Sequence, residues 1–129
     1  VVNVSSGAAN LALENVSAYC SAKAALKHFT RVLAAEEATL TALTIRPGVV
    51  DTDVQTYLRR EGATALPAEQ AAYYRQLKEN RRLEPPEIPA RAIAWVALYA
   101  PHRFSGQFVD YDDPRISDAA LKEFGSSLS

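Results

Sequence analysis

The sequence predicts an α/β fold built on a parallel sheet, and three short runs carry that prediction. Residues 1–4 and 42–46 contain β-branched side chains, and a long helix-forming segment separates them. A third run, 108–111, follows Gly106. A strand, a helix and a strand in that order favour parallel pairing with a right-handed crossover. We therefore predict the C-terminal half of a doubly wound sheet, whose first half would supply further strands and is missing from this sequence.

The first predicted strand, residues 1–4, is followed by a loop and by a helix that extends to about Ala38. Asn15 or Ser17 is expected to cap the N-terminus of this helix. Apolar residues recur in it at helical spacing, which predicts one apolar face formed by Ala22, Ala25, Leu26, Phe29, Val32 and Leu33.

The elements after this helix are also assigned from pattern and composition. In chain order they are a strand at 42–46 that Pro47-Gly48 stops, a polar helical insertion at 53–85, a turn at 84–89, a helix at 89–100, a strand at 108–111 and a polar tail with one weak helical stretch at 112–129. The insertion is broken near Gly62 and Pro67, and we interpret it as a candidate substrate lid. Residues 1–129 are taken as one catalytic half-domain that includes the lid and the tail.

Composition and charge leave few classes of partner open. The 129 residues include 14 basic and 15 acidic side chains, a net charge of −1, which offers no electrostatic footprint for nucleic acid or an anionic membrane. No apolar run is long enough to span a membrane, and the single Cys20 cannot form an internal disulfide, so we expect a cytoplasmic protein. His28 and His102 lack metal-ligand spacing, and no metal is expected. The chain has no Met and begins inside a predicted strand, which indicates that an upstream portion is missing.

Three polar residues have the arrangement of a carbonyl-reducing site. Tyr19 and Lys23 are four apart in the predicted helix, so their side chains share a face. An ammonium beside a phenol favours the phenolate, and a phenol so placed can exchange a proton with a substrate oxygen near neutral pH. Ser6 follows the first strand, at the end where open α/β sheets bind ligands. Its hydroxyl can hydrogen-bond the same oxygen and stabilise developing charge.

Each of these features alone has an ordinary structural explanation. A Tyr–Lys pair at helical spacing is usually a packed ring beside a solvated amine, serines after a strand usually form a turn, and a Pro-Gly pair usually joins two elements. The combination favours chemistry, because Ser6 precedes Tyr19 by thirteen positions and Lys23 follows by four, and a strand that ends in Pro47-Gly48 comes next.

Three segments together carry a family resemblance: residues 2–7 (VNVSSG), 19–26 (YCSAKAAL) and 46–53 (RPGVVDTD). They resemble the short-chain dehydrogenase/reductase family, over essentially the whole chain, which implies the second half of a Rossmann-like domain. The resemblance implies that Ser6 orients the substrate carbonyl and that Tyr19 donates the proton. It also implies that Lys23 holds the nicotinamide ribose hydroxyls while favouring the ionised tyrosine. The family's fourth catalytic residue, an asparagine on an earlier helix, has no counterpart here.

The resemblance also implies a nicotinamide cofactor, bound by Tyr19 and Lys23 together with the turn after the second strand. Pro47 ends that strand, and Gly48 has no side chain to block a flat nicotinamide ring from the backbone. In the family the residues that follow hydrogen-bond the carboxamide, which carries over to the backbone of Val50 and the hydroxyl of Thr52. NADPH is implied by one branch of the family, and NADH stays open because the sequence contains no Gly-rich phosphate-binding turn.

That branch is indicated by residues 19–20, 34–37, 51–55 and 105–111, which resemble sepiapterin reductase and the microbial benzil reductases. In sepiapterin reductase an aspartate of the last strand anchors the pterin, and Asp110 matches it. A carboxylate can accept paired hydrogen bonds from a guanidine-like edge. An alternative stays open, in which Asp110 only caps or solvates the end of its strand.

The sequence therefore supports two hypotheses about function. In the first, the protein is an NADPH-dependent carbonyl reductase and a homodimer at full length. A hydride attacks the carbonyl carbon of a ketone, a diketone or a pterin side chain, Tyr19 protonates the oxygen, and Ser6, Tyr19 and Asp110 contact the substrate. In the second, the chain is a truncated, non-catalytic fragment or an interaction remnant of such a reductase.

Overall fold

The sheet is parallel and contains three strands within residues 1–126, the part of the chain that the computed structural model describes. The strands are β1 (Val2–Val4), β2 (Leu43–Arg46) and β3 (Phe108–Asp110), in the spatial order β1–β2–β3. The helices, in chain order, are α1 (Ser17–Glu36), α2 (Asp53–Arg60), α3 (Gly62–Ala65), α4 (Ala68–Glu79), α5 (Glu87–Tyr99) and α6 (Pro114–Phe124). Short 3-10 helices form at Gly7–Ala9 and His102–Phe104.

Strand β2 lies at the centre of this sheet and has a parallel neighbour on each side. Asn3 of β1 pairs with Thr44, and Val109 of β3 pairs with Ile45. Leu43, Thr44 and Ile45 are all buried, as expected for a strand that is covered on both faces. The predicted parallel pairing is confirmed, and each strand is one residue shorter than the sequence pattern indicated.

The hydrophobic core joins β2 and β3 to α5 and α6. Its buried members are Leu43, Ile45, Ala92, Val96, Phe104, Val109 and Ile116. Helix α5 contributes Ala92 and Val96, which are four apart and therefore share a face. Ala97 of the same helix is exposed. The core thus fixes the two strands whose ends carry Arg46 and Asp110.

Helix α1 differs from its prediction at its N-terminus and in its buried face. Neither Asn15 nor Ser17 caps it: Val16 occupies the capping position without a side-chain bond, and Asn15 has φ 64°, a left-handed conformation that Asn tolerates well. The predicted apolar face is not buried: Ala22, Ala25, Phe29 and Val32 are exposed, and Leu26 and Leu33 are half-buried. Thr30, which lies outside that face, is fully buried, whereas Phe29 is 58% exposed. No helix within residues 1–126, this 20-residue helix included, has the length and apolar character needed to cross a membrane.

The helical stretch predicted within residues 112–129 is present, but it packs into the core and is not a tail. Residues Pro114–Phe124 form α6, and Ile116, at 0% exposure, belongs to the core. Ala120, one turn later, is also buried. Two buried positions in one helix provide only a weak periodic signal in the sequence. The last three residues of the predicted tail lie outside the described residues.

The predicted insertion at 53–85 falls in a compact unit of its own, Val49–Ile88, which contains α2, α3 and α4. Ala71 and Leu77 of α4 are its buried apolar side chains among the described residues. A parallel bridge between Val50 and Glu84 joins the beginning and the end of this unit. Its role as a substrate lid stays a prediction.

Candidate active site

The carboxyl ends of the three strands lie at one edge of the sheet, where the chain enters the loops that carry the predicted residues. The backbone ladder continues past the strands: Ser5 N donates to Ile45 O at 2.9 Å, and Tyr111 N donates to Arg46 O at 2.9 Å. Ser6 therefore begins its loop beside the end of β2, and Asp110 ends β3 on the other side. This is the edge at which open parallel sheets place their ligands.

Ser6 is held in an extended conformation (φ −148°, ψ 159°) directly after β1. Its Oγ accepts a hydrogen bond from Ala8 N at 3.2 Å and so caps the 3-10 helix at Gly7–Ala9. A hydroxyl also carries one donor, so Ser6 retains an O–H that can donate to a substrate oxygen. The structure thus gives this serine both a fixed position and a hydrogen-bond donor.

Lys23 is tied to the end of β1 by two hydrogen bonds that run in opposite directions. Its Nζ donates to Val4 O at 3.1 Å, and the Ser5 hydroxyl donates to Lys23 O at 3.1 Å. Ser5 is only 3% exposed. The pair of bonds fixes the middle of α1 against the strand that leads into Ser6, and it places a positive charge at the strand end. Nothing in the sequence pattern pointed to this role of Ser5, which was interpreted only as a turn residue.

Tyr19 lies one helical turn before Lys23, as predicted. The Lys23 Nζ is 5.7 Å from the centre of the Tyr19 ring, close enough for the ammonium to act on the electrostatics of the ring. Tyr19 is 48% exposed, so its hydroxyl is accessible to a ligand. Within residues 1–126 no hydrogen bond joins Tyr19 to Ser6. The structure therefore brings Lys23 to both Tyr19 and the end of β1, and it joins Ser6 and Tyr19 by no hydrogen bond within the described residues.

Gly48 is required by its own backbone as well as by its neighbour. Its φ of 74° is left-handed, and a Cβ at this position would lie 2.9 Å from Cε1 of Tyr111. Any other residue would be strained there. The side of Gly48 on which a side chain would project is thus covered by Tyr111, so the glycine has a structural explanation that is independent of a nicotinamide ring. The predicted role of Pro47 and Gly48 in cofactor binding stays a prediction.

Val50 and Thr52 belong to the separate unit Val49–Ile88 and are described within it. The bridge to Glu84 uses the backbone of the residues that flank Val50: Glu84 N donates to Val49 O at 2.8 Å, and Asp51 N donates to Glu84 O at 2.9 Å. The N–H of Val50 therefore points to the opposite side. Thr52 occupies the N-cap position of α2, yet its hydroxyl makes no capping bond. The bridge therefore does not use the N–H of Val50, and no capping bond uses the hydroxyl of Thr52. Their predicted role in binding a carboxamide stays a prediction.

Asp110 is engaged by a residue that the sequence did not single out. Arg46 Nε donates to Asp110 Oδ1 at 2.5 Å, and Arg46 Nη2 donates to Asp110 Oδ2 at 2.7 Å. The two residues are direct partners in the β2–β3 register, so their side chains emerge side by side at the sheet edge. The Asp110 carboxylate, which was predicted to contact the substrate, therefore forms a bidentate ion pair with Arg46. Both residues end a strand, but this shared position indicates an ion pair only once the pairing of the two strands is known.

The described residues offer no metal centre: within residues 1–126, no three His, Cys, Asp or Glu side chains are grouped as metal ligands would be. Asp51 of the second unit forms ion pairs with Lys78 and Arg59. One carboxylate paired with two cationic side chains indicates a structural ion-pair network and not a metal site.

Comparison with known proteins agrees with this geometry. Residues 1–63 match the family model described as short chain dehydrogenase. An uncharacterized oxidoreductase of Saccharomyces cerevisiae is 42% identical over 120 residues, which are 92% of this chain and 47% of that protein. The crystal structure of the same yeast protein, a short-chain dehydrogenase/reductase, superposes with a TM-score of 0.85 over 92% of this chain and 47% of its own.

Two relatives with named activities are also similar. The benzil reductase ((S)-benzoin forming) of Saccharomyces cerevisiae is 36% identical over 120 residues, covering 90% of this chain and 46% of that protein. The sepiapterin reductase of Xenopus tropicalis is 35% identical over 113 residues, covering 88% and 42%. The chain belongs to the short-chain dehydrogenase/reductase family, and the predicted C-terminal half of a Rossmann-like doubly wound domain is confirmed. It spans about half the length of the curated relatives that it matches.

Proposed function

We propose that the protein is an NADPH-dependent carbonyl reductase that uses Ser6, Tyr19 and Lys23. The observation that carries this proposal is the position of the Lys23 ammonium, which contacts the end of β1 next to Ser6 and lies 5.7 Å from the Tyr19 ring. Two of the similar proteins are named benzil reductase and sepiapterin reductase, which favours a ketone, a diketone or a pterin side chain as the substrate.

The roles follow from the chemistry of the side chains. The nicotinamide cofactor, when bound, supplies the hydride that reaches the carbonyl carbon. Ser6 donates its O–H to the carbonyl oxygen and orients it, while Tyr19 transfers its proton to the same oxygen. The positive charge of Lys23 then stabilises the negative charge that remains on the Tyr19 oxygen. Ser6 and Tyr19 thus act on the carbonyl oxygen at the edge of the sheet, and Lys23 acts through Tyr19.

Cofactor-binding groups are proposed for each unit separately. Lys23 would bind the ribose hydroxyls, and the N–H of Val50 and the hydroxyl of Thr52 would bind the carboxamide. In favour of this, the N–H of Val50 faces away from its bridge and the hydroxyl of Thr52 makes no helix-capping bond. NADPH is proposed over NADH because the resemblance to the branch of sepiapterin and benzil reductases implies it, and the sequence contains no Gly-rich phosphate-binding turn from which to choose.

The decisive test is Tyr19→Phe in the product of the complete reading frame. We expect kcat/KM for NADPH-linked reduction of an aryl diketone to fall by roughly 10²–10⁴-fold, as for loss of a general acid. Tyr99→Phe is the matched control, because Tyr99 is equally exposed but lies on α5, and it should leave kcat/KM unchanged. Retention of wild-type activity by Tyr19→Phe would refute the proposed mechanism.

We propose that the protein is a cytoplasmic homodimer that associates through the exposed side of α1. Phe29 and Val32 are exposed on this helix, and Ala22 and Ala25 lie at the same helical spacing. A stripe of this kind is commonly an association surface.

The association is tested by Phe29→Glu, which should convert a dimer to a monomer in sedimentation velocity. Val54→Glu, an equally exposed apolar position on α2, should leave the dimer intact. A Phe29→Glu protein that sediments as a dimer would rule out this surface.

A further inference from the structure

We propose that Arg46 determines the substrate specificity of this site. Its guanidinium binds both oxygens of the Asp110 carboxylate, so the site selects neutral dicarbonyl substrates over substrates with a guanidine-like ring. This inference rests on the proposed reductase function and names its substrate class. It also separates two activities that the similar proteins carry, because only a pterin presents such a ring.

The first support is the geometry of the ion pair. Both Asp110 oxygens accept hydrogen bonds from one planar guanidinium, at 2.5 and 2.7 Å. A pterin would present the same planar fork of two N–H donors to the same two oxygens. Both forks need the same edge of the carboxylate, so a pterin could bind Asp110 only after Arg46 had left it.

The second support is the position of the pair in the site. Arg46 and Asp110 are register partners at the ends of β2 and β3, and their side chains are 41% and 40% exposed. A Cβ built on Gly7 would lie 3.5 Å from Arg46 Nη1 and 3.7 Å from its Cδ. The guanidinium therefore extends from Asp110 to the residue that follows Ser6. A substrate whose carbonyl is bound by Ser6 would meet the Arg46–Asp110 pair beside it.

The third support is the charge balance. The pair is neutral as a unit, so neither a cationic nor an anionic group of a substrate finds an uncompensated charge there. Removal of Arg46 leaves a carboxylate with a free bidentate edge, whereas removal of the Asp110 charge leaves a free guanidinium. The two single variants should therefore change specificity in opposite directions, and the double variant should restore neutrality.

The experiment uses the product of the complete reading frame as wild type, Arg46→Gln, Asp110→Asn and the double variant. Binding of a 2-amino-4-oxopteridine is measured by titration calorimetry, independently of any turnover. In parallel, kcat/KM is measured for a neutral aryl 1,2-diketone and for the matching aryl 2-oxo acid. Thermal unfolding of each variant verifies that it is folded, and only folded variants are compared.

We expect Arg46→Gln to bind the pteridine at least about tenfold more tightly than wild type, because it gains charge-assisted hydrogen bonds. Asp110→Asn should improve the ratio of 2-oxo acid to diketone turnover by a similar factor, and the double variant should resemble wild type in both measurements. Pteridine binding to the wild type that is lost in Asp110→Asn would overturn the inference, as would the absence of any gain in Arg46→Gln. Failure of the proposed reductase function would instead appear as no turnover of either carbonyl compound, with the calorimetric result unaffected.

Discussion

Ser5 and Ser6 are adjacent in the chain, but their hydroxyls have different surroundings. The Ser5 hydroxyl is buried and donates to the backbone of α1 at Lys23 O. The Ser6 hydroxyl is half-buried and accepts from Ala8 N in its own loop. At the scale of the residue, the first is therefore a structural contact between strand and helix, and the second is the group that can meet a substrate.

This difference predicts opposite effects of two alanine substitutions. Ser5→Ala should lower the free energy of unfolding by about 1 kcal/mol, the usual net contribution of one internal hydrogen bond, as measured by urea denaturation. Ser6→Ala should reduce kcat for carbonyl reduction far more than Ser5→Ala does, with a smaller change in the urea midpoint. The reverse pattern, in which Ser5→Ala has the larger effect on kcat, would contradict the assignment of the two hydroxyls.

Single residues were predictable where chemistry is encoded by local spacing. The spacing of Tyr19 and Lys23 within one helix is visible in the sequence, and the structure places the ammonium beside the ring as predicted. The ion pair of Arg46 and Asp110 was not predictable, because the two residues are 64 positions apart. Only the register of β2 against β3 makes them neighbours.

Helix α6, which the sequence pattern predicted only as a weak helical stretch, begins at a side-chain cap. Asp113 accepts a hydrogen bond from Arg115 N at 2.9 Å and pairs with the Arg115 guanidinium. The hydrogen bond from the Arg115 side chain holds the pKa of Asp113 below its ordinary value, and the bond from the Arg115 backbone adds to that lowering. Pro114 follows as the first residue of the helix, where its missing N–H costs nothing.

The cap predicts an acid-dependent loss of stability. Asp113→Ala should destabilise the protein by about 1 kcal/mol at neutral pH, whereas Asp113→Asn keeps a capping oxygen and should lose less. Because the pKa of Asp113 is lowered on folding, its stabilising contribution is present above the pKa of an unfolded aspartate and is lost as the pH falls through the folded value.

Urea denaturation of the wild type and both variants, at neutral pH and across the acid range, measures this contribution. The advantage of the wild type over Asp113→Asn should shrink toward zero at the acid end. An advantage that is independent of pH would show that the charge of Asp113 does not contribute.

The order of the elements was predictable, and their packing was not. Strand–helix–strand order was enough to predict the parallel sheet, which the structure confirms. The burial of α1 was not predictable because periodicity shows which residues share a face and does not show whether that face is covered. Phe29 and Thr30 illustrate this, since the apolar residue is exposed and the polar one is buried.

At the scale of the whole molecule, the chain carries the proposed proton donor but lacks one recognisable part of a dinucleotide site. Its five glycines are Gly7, Gly48, Gly62, Gly106 and Gly125, and none of them forms the closely spaced turn that cradles a pyrophosphate at a helix N-terminus. The relatives that it matches are about twice its length. Within residues 1–129 the proposed proton donor is therefore separated from any recognisable pyrophosphate-binding turn.

That separation predicts the outcome of titrating residues 1–129 alone with NADPH. The isolated chain should bind NADPH at least about a hundredfold more weakly than the product of the complete reading frame, because it lacks the charge-assisted hydrogen bonds of a pyrophosphate site. Reduced nicotinamide mononucleotide has no pyrophosphate, so it serves as the control ligand and should bind the two proteins with similar, weak affinity. Equal affinity of the two proteins for NADPH would show that residues 1–129 contain a complete cofactor site, and a phosphate-binding group would then have to be sought among them.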